Sequence, residues 1–279
     1  MYRIVTKEEL NPVIDLISVQ APALARKAKP GQFVVIRVDE VGERIPLTLA
    51  DWDEKEGTVT LVAMQVGTST YKLACLNVGD YILNLVGPLG LPSDIERFGN
   101  VVCVAGGVGA APVFPIARAL KQAGNRIISI LGARNKDLLF WQERLQSVSD
   151  ELIVTTDDGS YARKGVVTEA LKEVLERGAR IDRVIAIGPA IMMKFCSSTT
   201  KPFGVPTFVS LNSIMVDGTG MCGCCRVSVG GVTKFACVDG PDFDGHEVDW
   251  DLLFKRQQIY LAEEKHSLEL WKSCHCQSA

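Results

Sequence analysis

Four of the chain's nine cysteines, Cys222, Cys224, Cys225 and Cys237, fall in the single stretch 216–237, VDGTGMCGCCRVSVGGVTKFAC. An odd number of cysteines, unevenly spread, argues against a disulfide framework. Soft sulfur donors packed this closely point instead to a metal ion or an iron–sulfur cluster. Between them the apolar run 227–232, VSVGGV, has the form of a hairpin that returns Cys237 toward Cys222. Whatever else the chain folds into must leave room for that centre.

The rest of the chain is large enough for two further cores. It has 279 residues, 47% of them hydrophobic, and a formal charge of −3 with no basic block to track a phosphate backbone, which sets nucleic-acid binding aside. The opening MYRIVTKEEL is charged from its first residues and lacks a signal-peptide core, and no run of about 18 apolar residues follows. The expectation is a cytoplasmic protein that does not enter a membrane.

Residues 1–97 carry short aliphatic and β-branched runs, among them VIDLISVQA, FVVIRV, PLTLAD, TVTLVAMQV and DYILNLVGPLG, with turn signals between them. That rhythm predicts a small antiparallel β-barrel. Two of its pieces have chemical character. In Arg44-Ile45-Pro46-Leu47-Thr48 a cation and a hydroxyl flank a strand start. In Val66-Gly67-Thr68-Ser69-Thr70 small hydroxylated residues open a helix over 68–77, whose free N–H groups suit a phosphate.

Over 98–210 the pattern changes to alternating strands and helices, predicting a parallel sheet with covering helices. The apolar strand 101–105 runs into Gly106-Gly107-Val108-Gly109-Ala110-Ala111-Pro112 and a helix over 113–123. Glycines at a strand-to-helix turn let a pyrophosphate approach the backbone, although the spacing is not GxGxxG. Further strands at 126–131, 152–156 and 183–187 end in Gly132-Ala133-Arg134, Asp157-Asp158-Gly159-Ser160 and Gly188-Pro189, with Met192 just beyond. Small and polar residues at four strand ends place a nucleotide crevice along one edge of the sheet. Cys103 and Cys196 lie in apolar surroundings and read as core.

Together, RIPLT, GTST, GGVGAAP, LGAR, TTDDGS, GPAIMM and the segment SLNSIMVDGTGMCGCCRV followed by FACVDGPDFDGHEVDW resemble the ferredoxin–NADP reductase superfamily. Within it the chain looks like electron-transfer subunits related to that of dihydroorotate dehydrogenase, and most like the small subunits of NADH-dependent reduced ferredoxin:NADP oxidoreductases, the electron-bifurcating transhydrogenases. The resemblance implies FAD against Arg44, Pro46, Leu47, Thr48 and Val62, with its pyrophosphate at Gly67, Ser69 and Thr70. The superfamily's usual arginine stands three residues before the Ser/Thr; here that place is Ile45, and Arg44 is one further back. NAD(H), with NADP(H) as the alternative, would lie on Gly106, Gly107, Val108, Gly109, Ala110, Pro112, Gly132, Ala133, Arg134, Asp157, Asp158, Gly188, Pro189 and Met192. No catalytic acid or base is expected, because hydride transfer to a flavin needs none.

The resemblance also implies a [2Fe–2S] cluster in the module 211–279. Relatives space their ligands C-x4-C-x2-C before a fourth cysteine; Cys222, Cys225 and Cys237 match the last three, and the first position is Asp217. Asp217, Cys222, Cys225 and Cys237 are therefore the expected ligands. Cys224 in place of Asp217, a structural zinc site, and an Asp217 that merely caps a turn remain open. The loop 239–246 reads as solvated or as a partner contact, 248–271 as one helix, and Ser273 to Gln277 as a mobile end. The expected function is electron transfer between NAD(H), FAD, the cluster and a larger flavin and [4Fe–4S] partner subunit in a heterodimer, with ferredoxin reached through the complex. The alternatives are an electron-transfer subunit of dihydroorotate dehydrogenase or sulfide dehydrogenase, or a non-redox module with structural zinc.

Overall fold

A computed structural model describes residues 1–275. Seven strands come first: β1 (Tyr2–Asn11), β2 (Ile14–Gln20), β3 (Phe33–Arg37), β4 (Arg44–Asp53), β5 (Thr58–Met64), β6 (Tyr81–Ile82) and β7 (Asn84–Leu89). They pair in the order β6-β1-β2-β5-β4-β3-β7, every pair antiparallel. The two edge strands β6 and β7 are joined by the single residue Leu83, so the sheet has to curl until its edges meet, as a barrel does. Helices α1 (Pro22–Ala25) and α2 (Thr68–Cys75) lie in its connections. Ile4, Ile17, Val34, Ile36, Leu49, Leu61 and Leu73 fill it.

The parallel sheet follows: β8 (Asn100–Gly106), β9 (Arg126–Ala133), β10 (Glu151–Thr156), β11 (Arg163–Lys164), β12 (Arg183–Ile187) and β13 (Thr207–Ser210), in the order β11-β10-β9-β8-β12-β13. Helices α3 (Ala110–Gln122), α4 (Gln142–Ser147), α5 (Val167–Glu176) and α6 (Ala190–Thr200) cover it. Helix α5 shows why: Val167, Ala170, Leu171, Val174 and Leu175 recur at helical spacing and all are buried. The chain leaves β8 toward β9 on one side and later returns to β12 on the other, so the order reverses between β8 and β12. A ligand crevice belongs at that reversal.

The last module holds the hairpin β14 (Arg226–Val229) and β15 (Val232–Phe235), then β16 (Asp242–Asp244), α7 (Trp250–Gln257) and α8 (Leu261–His275). The solvated loop expected over 239–246 contains β16, which adds to the parallel sheet as an antiparallel edge with Phe208 opposite Asp244 and Ser210 opposite Asp242. The single helix expected over 248–271 is two helices, broken between Gln257 and Leu261. Ser273 and Cys274 belong to α8 rather than to a mobile end, whereas Cys276 and Gln277 lie outside the described residues.

The modules share cores. One face of the parallel sheet packs against barrel residues Ile14, Leu16, Ala50 and Val62. The other face continues into Cys225, Val227, Ala236, Cys237, Trp250 and Leu253 of the last module and reaches Phe33 and Val35 of the barrel. Cys103 and Cys196 are fully buried in these cores, and burial pushes their thiols up to about 12.

Candidate cofactor sites

The barrel offers a slot where its ladder stops. Strands β4 and β5 pair from Leu49 opposite Leu61 to Asp53 opposite Thr58, with a register shift after Leu49. Beyond Leu49, residues 44–48 pair only with β3, while Val62, Ala63 and Met64 pair only with β2. Unpaired strand edges expose backbone donors and acceptors suited to the polar rim of a ring system. Arg44 is exposed and Pro46, Leu47 and Thr48 are half-buried along one side; Val62 is buried on the other.

The turn into α2 follows β5 directly. Gly67 has open space where a side chain would stand, and the first-turn N–H groups of α2 have no partner within the helix. The Thr70 hydroxyl has a local task, accepting from the N–H groups of Val66 and Gly67 at 3.0 and 3.1 Å. Ser69 is buried. A phosphate at this turn would therefore meet backbone N–H groups and the open face of Gly67.

In the second crevice the glycines divide by role. A Cβ on Gly109 would stand 2.1 Å from the Ile187 carbonyl oxygen, so this glycine lets the start of α3 approach the end of β12. Cβ atoms on Gly106 and Gly188 would strike Met192, which packs over both, and one on Gly132 would strike Val167. Gly107 alone of the turn has φ +54° and open space above it. The turn 107–109 and the first residues of α3, Ala110 and Pro112, face the strand end Gly188-Pro189 across the reversal between β8 and β12. Val108 packs in the same cluster as Val62, so the crevice adjoins the barrel slot.

Further along the sheet edge, the N–H groups of Asp157 and Asp158 donate to the carbonyls of Ala133 and Arg134 at 3.1 and 3.2 Å. The Ser160 hydroxyl, and next its N–H donating to Asp158 at 2.9 Å, hold the Asp158 carboxyl below the ordinary range. Asp158 is a turn-former, while Asp157 and Arg134 stay exposed.

The cysteine segment is only partly gathered. Cys225 and Cys237 are buried, with their sulfurs 3.2 Å apart. Burial first, then the neighbouring Cys225 thiol, pushes Cys237 up to about 12. At that distance the Cys225 thiol donates to the Cys237 sulfur, and the pair could both be thiolates only around a shared cation. Cys222 is exposed, and Cys224 is half-buried beside it, its thiol raised by burial and by Cys222. The Asp217 carboxylate accepts from the N–H groups of Thr219 at 3.0 Å and Cys222 at 3.1 Å and from the Thr219 hydroxyl, which together hold it below the usual range. Among the described residues no three of His, Cys, Asp and Glu are grouped closely enough to hold a metal ion. The donor chemistry nonetheless fits an iron–sulfur group: a buried sulfur pair adjoins a loop carrying further soft donors.

Two features carried no local sequence signal. Asp51 of the barrel pairs with Arg118 at 2.9 Å and Arg144 at 3.6 Å, and both guanidiniums stack on Phe114, clamping the barrel to the second sheet. Helix α8 docks on α2: the hydroxyls of Thr68 and Ser267 are 3.0 Å apart, and the rings of Tyr71 and Trp271 are 5.6 Å apart. Each joins residues far apart in the chain, and only Trp and Arg content hints at them.

Comparison with known proteins fits this geometry. Residues 212–249 match the iron-sulfur cluster binding domain of dihydroorotate dehydrogenase B, and residues 103–198 match the oxidoreductase NAD-binding domain. A Thermotoga maritima protein described as a dihydroorotate dehydrogenase B (NAD(+)) electron transfer subunit homolog is 55% identical over 90% of this chain and 88% of its own length. A Methanocaldococcus jannaschii probable electron transfer subunit of the same enzyme is 37% identical over 79% of this chain and 80% of its own. A solved structure of an NADH-dependent reduced ferredoxin–NADP oxidoreductase, described for flavin-based electron bifurcation, superposes with TM-score 0.92 at 52% identity, covering 97% of this chain and 98% of that one. The reductase of an Amycolatopsis cytochrome P450 system, 23% identical with TM-score 0.61 over 72% of this chain and 65% of that one, shares the fold. The chain belongs to the dihydroorotate dehydrogenase B family of electron-transfer subunits, oxidoreductase subunits that work with NAD(H), FAD and a [2Fe–2S] cluster beside a larger partner.

Proposed function

We propose that this chain is the small subunit of an NADH-dependent reduced ferredoxin:NADP oxidoreductase, and that it passes electrons between NAD(H) and a larger flavin and [4Fe–4S] subunit in an electron-bifurcating heterodimer. The observation that carries this reading is the match in fold and sequence along almost the whole chain to a structure of such an enzyme. When bound, FAD would supply two-electron exchange with the nicotinamide and one-electron exchange with the cluster. The chain's part is to bind and orient. Residues 44–48 and Val62 line the flavin slot, and the turn at Gly67, Ser69 and Thr70 takes the pyrophosphate. Gly107 and the start of α3 take the dinucleotide, while Met192 packs over the floor of the crevice. Asp217, Cys222, Cys225 and Cys237 are the proposed cluster ligands. Asp217 already bonds the Cys222 N–H, which keeps its carboxylate at the ligand loop. Substituting a carboxylate oxygen for a thiolate changes ligand charge and donor strength and so shifts the cluster potential.

No described helix is long and apolar enough to cross a membrane. Anaerobic purification of the native complex with metal and flavin analysis tests the reading. Brown protein containing FAD, iron and acid-labile sulfide, together with a larger flavin and iron–sulfur subunit, supports it. Colourless protein containing zinc overturns it. Co-purification with a dihydroorotate-oxidising subunit, as the names of several relatives favour, keeps the chemistry and changes the partner.

A further inference from the structure

Between the proposed ligands Cys222 and Cys225 stand Gly223 and Cys224, and each of these two carbonyls receives a guanidinium. Arg226 Nη1 donates to the Gly223 carbonyl at 3.0 Å, and Arg256 Nη2 donates to the Cys224 carbonyl at 3.0 Å. Both arginines, with Cys224 and Ser213, line one small cavity behind the segment. Ser213 Oγ is buried there without a hydrogen-bond partner.

Arg256 is held in place by the fold. It lies in the last turn of α7, a helix capped by Asp249, whose carboxylate accepts from the Leu252 N–H at 2.9 Å. Trp250 and Leu253 anchor that helix in the core. One residue on, Gln257 Nε2 donates to the backbone carbonyl of Asn212 at 3.1 Å and to its side-chain oxygen at 2.9 Å. The end of α7 thus grips the ligand segment at its beginning and inside its CxxC interval.

The two contacts differ in charge. Gln257 is neutral, whereas among the described residues neither Arg226 nor Arg256 forms an ion pair with a carboxylate. Both positive charges therefore stand at the segment that would hold the redox group without a carboxylate ion-paired to them. A reduced cluster is more negative than an oxidised one by one electron, so a nearby fixed cation favours the reduced form. A half-buried cation such as Arg256 is screened less than an exposed one such as Arg226.

We propose that Arg256, and more weakly Arg226, tune the cluster centre: they fix the backbone between two of its ligands and hold its potential up with positive charge that no carboxylate pairs. This rests on the reading that a [2Fe–2S] cluster occupies the segment. The test is a redox titration followed by the electron paramagnetic resonance signal of the reduced cluster, on the anaerobically purified complex and its variants. At a fixed applied potential, Arg256→Gln is expected to lower the reduced-to-oxidised ratio at least threefold, about 28 mV at 59 mV per tenfold for one electron. Arg256→Lys is expected to restore most of that ratio. Arg226→Gln shifts it in the same direction by less, and Gln257→Ala, which removes the neutral grip from the same turn, leaves it unchanged.

A wild-type potential in loaded Arg256→Gln overturns the proposal, as does an equal shift in Gln257→Ala, which would make the effect one of loop position alone. If Arg256→Gln fails to take up the cluster, Arg226→Gln decides, and a wild-type potential there overturns the proposal. A wild-type complex with no cluster signal at all would instead overturn the assignment of the centre.

Discussion

In the crevice between β8 and β12 the glycines are fixed by packed neighbours: Ile187 behind Gly109, Met192 over Gly106 and Gly188, Val167 against Gly132. In the segment 217–225 the polar groups are held mainly by the segment itself, as when Asp217 takes the N–H groups of Thr219 and Cys222. The first region is built from backbone on a rigid sheet, so its shape exists before a ligand arrives. The second has a buried sulfur pair and an exposed loop, and its remaining donors are not gathered. Metal sites commonly have this character, because binding energy and the ordering of the site are one transaction. The difference teaches that a site recognising a dinucleotide is paid for by folding, while a site holding a cluster is completed by it.

The largest effect that tests this contrast is at the sulfur pair. Cys237→Ala should abolish the iron–sulfur absorbance and paramagnetic signal while FAD and NADH binding persist, measured by metal analysis and flavin release. Loss of FAD together with the cluster would show that the two regions are not separable. Next comes Gly109→Ala, whose Cβ would meet backbone rather than a yielding side chain. It should cost about 1–3 kcal/mol in denaturant unfolding and weaken NADH binding without touching the cluster signal. Gly107→Ala meets no atom, and its roughly 1–2 kcal/mol is the conformational cost of φ +54° in a residue with a side chain.

A smaller effect concerns the strand that joins the two regions. Asp242 of β16 is half-buried with its carboxyl turned inward, one oxygen accepting from Ser93 at 2.5 Å and the other shielded from solvent. Burial raises its pKa above the unfolded value, opposed by the Ser93 and Ser210 hydroxyls and by Arg183, with Asp94 adding to the rise. Folding therefore favours the neutral acid. Its contribution is at its fullest below the unfolded pKa of an ordinary carboxylate and declines as pH rises through the folded pKa. Asp242→Asn should flatten that decline in denaturant titrations run at several pH values; an unchanged slope would remove Asp242 as its source. The smallest effect belongs to the clamp between barrel and sheet, where Asp51→Asn should cost up to about 1 kcal/mol, since the partners are partly exposed.

The legibility of these features in the sequence follows their range. Strands such as FVVIR and VVCVA announce themselves because β-branched runs bounded by turns are a local pattern. The glycine turn and the strand ends that line the crevice are local too, and the topology brings them to one edge. Strand β16 is written in DFD, flanked by glycine and proline, and forms only because β13 offers a free edge. Nothing local predicts that pairing, nor the break between α7 and α8, where neither glycine nor proline intervenes. The division among the glycines was likewise invisible, because the atoms behind Gly109 and Gly132 come from strands and helices far along the chain. Arg256 gave no signal in the sequence, since it meets Cys224 across 32 positions.

The central claim is that one chain connects a nicotinamide site to an iron–sulfur centre through a flavin. Anaerobic titration of the purified complex with NADH, read by flavin absorbance and by electron paramagnetic resonance together, tests it most directly. The account predicts bleaching of the flavin and the appearance of a reduced [2Fe–2S] signal that Cys237→Ala eliminates while the bleaching remains. Flavin bleaching with the same iron–sulfur signal in Cys237→Ala, or no flavin response to NADH at all, would contradict it.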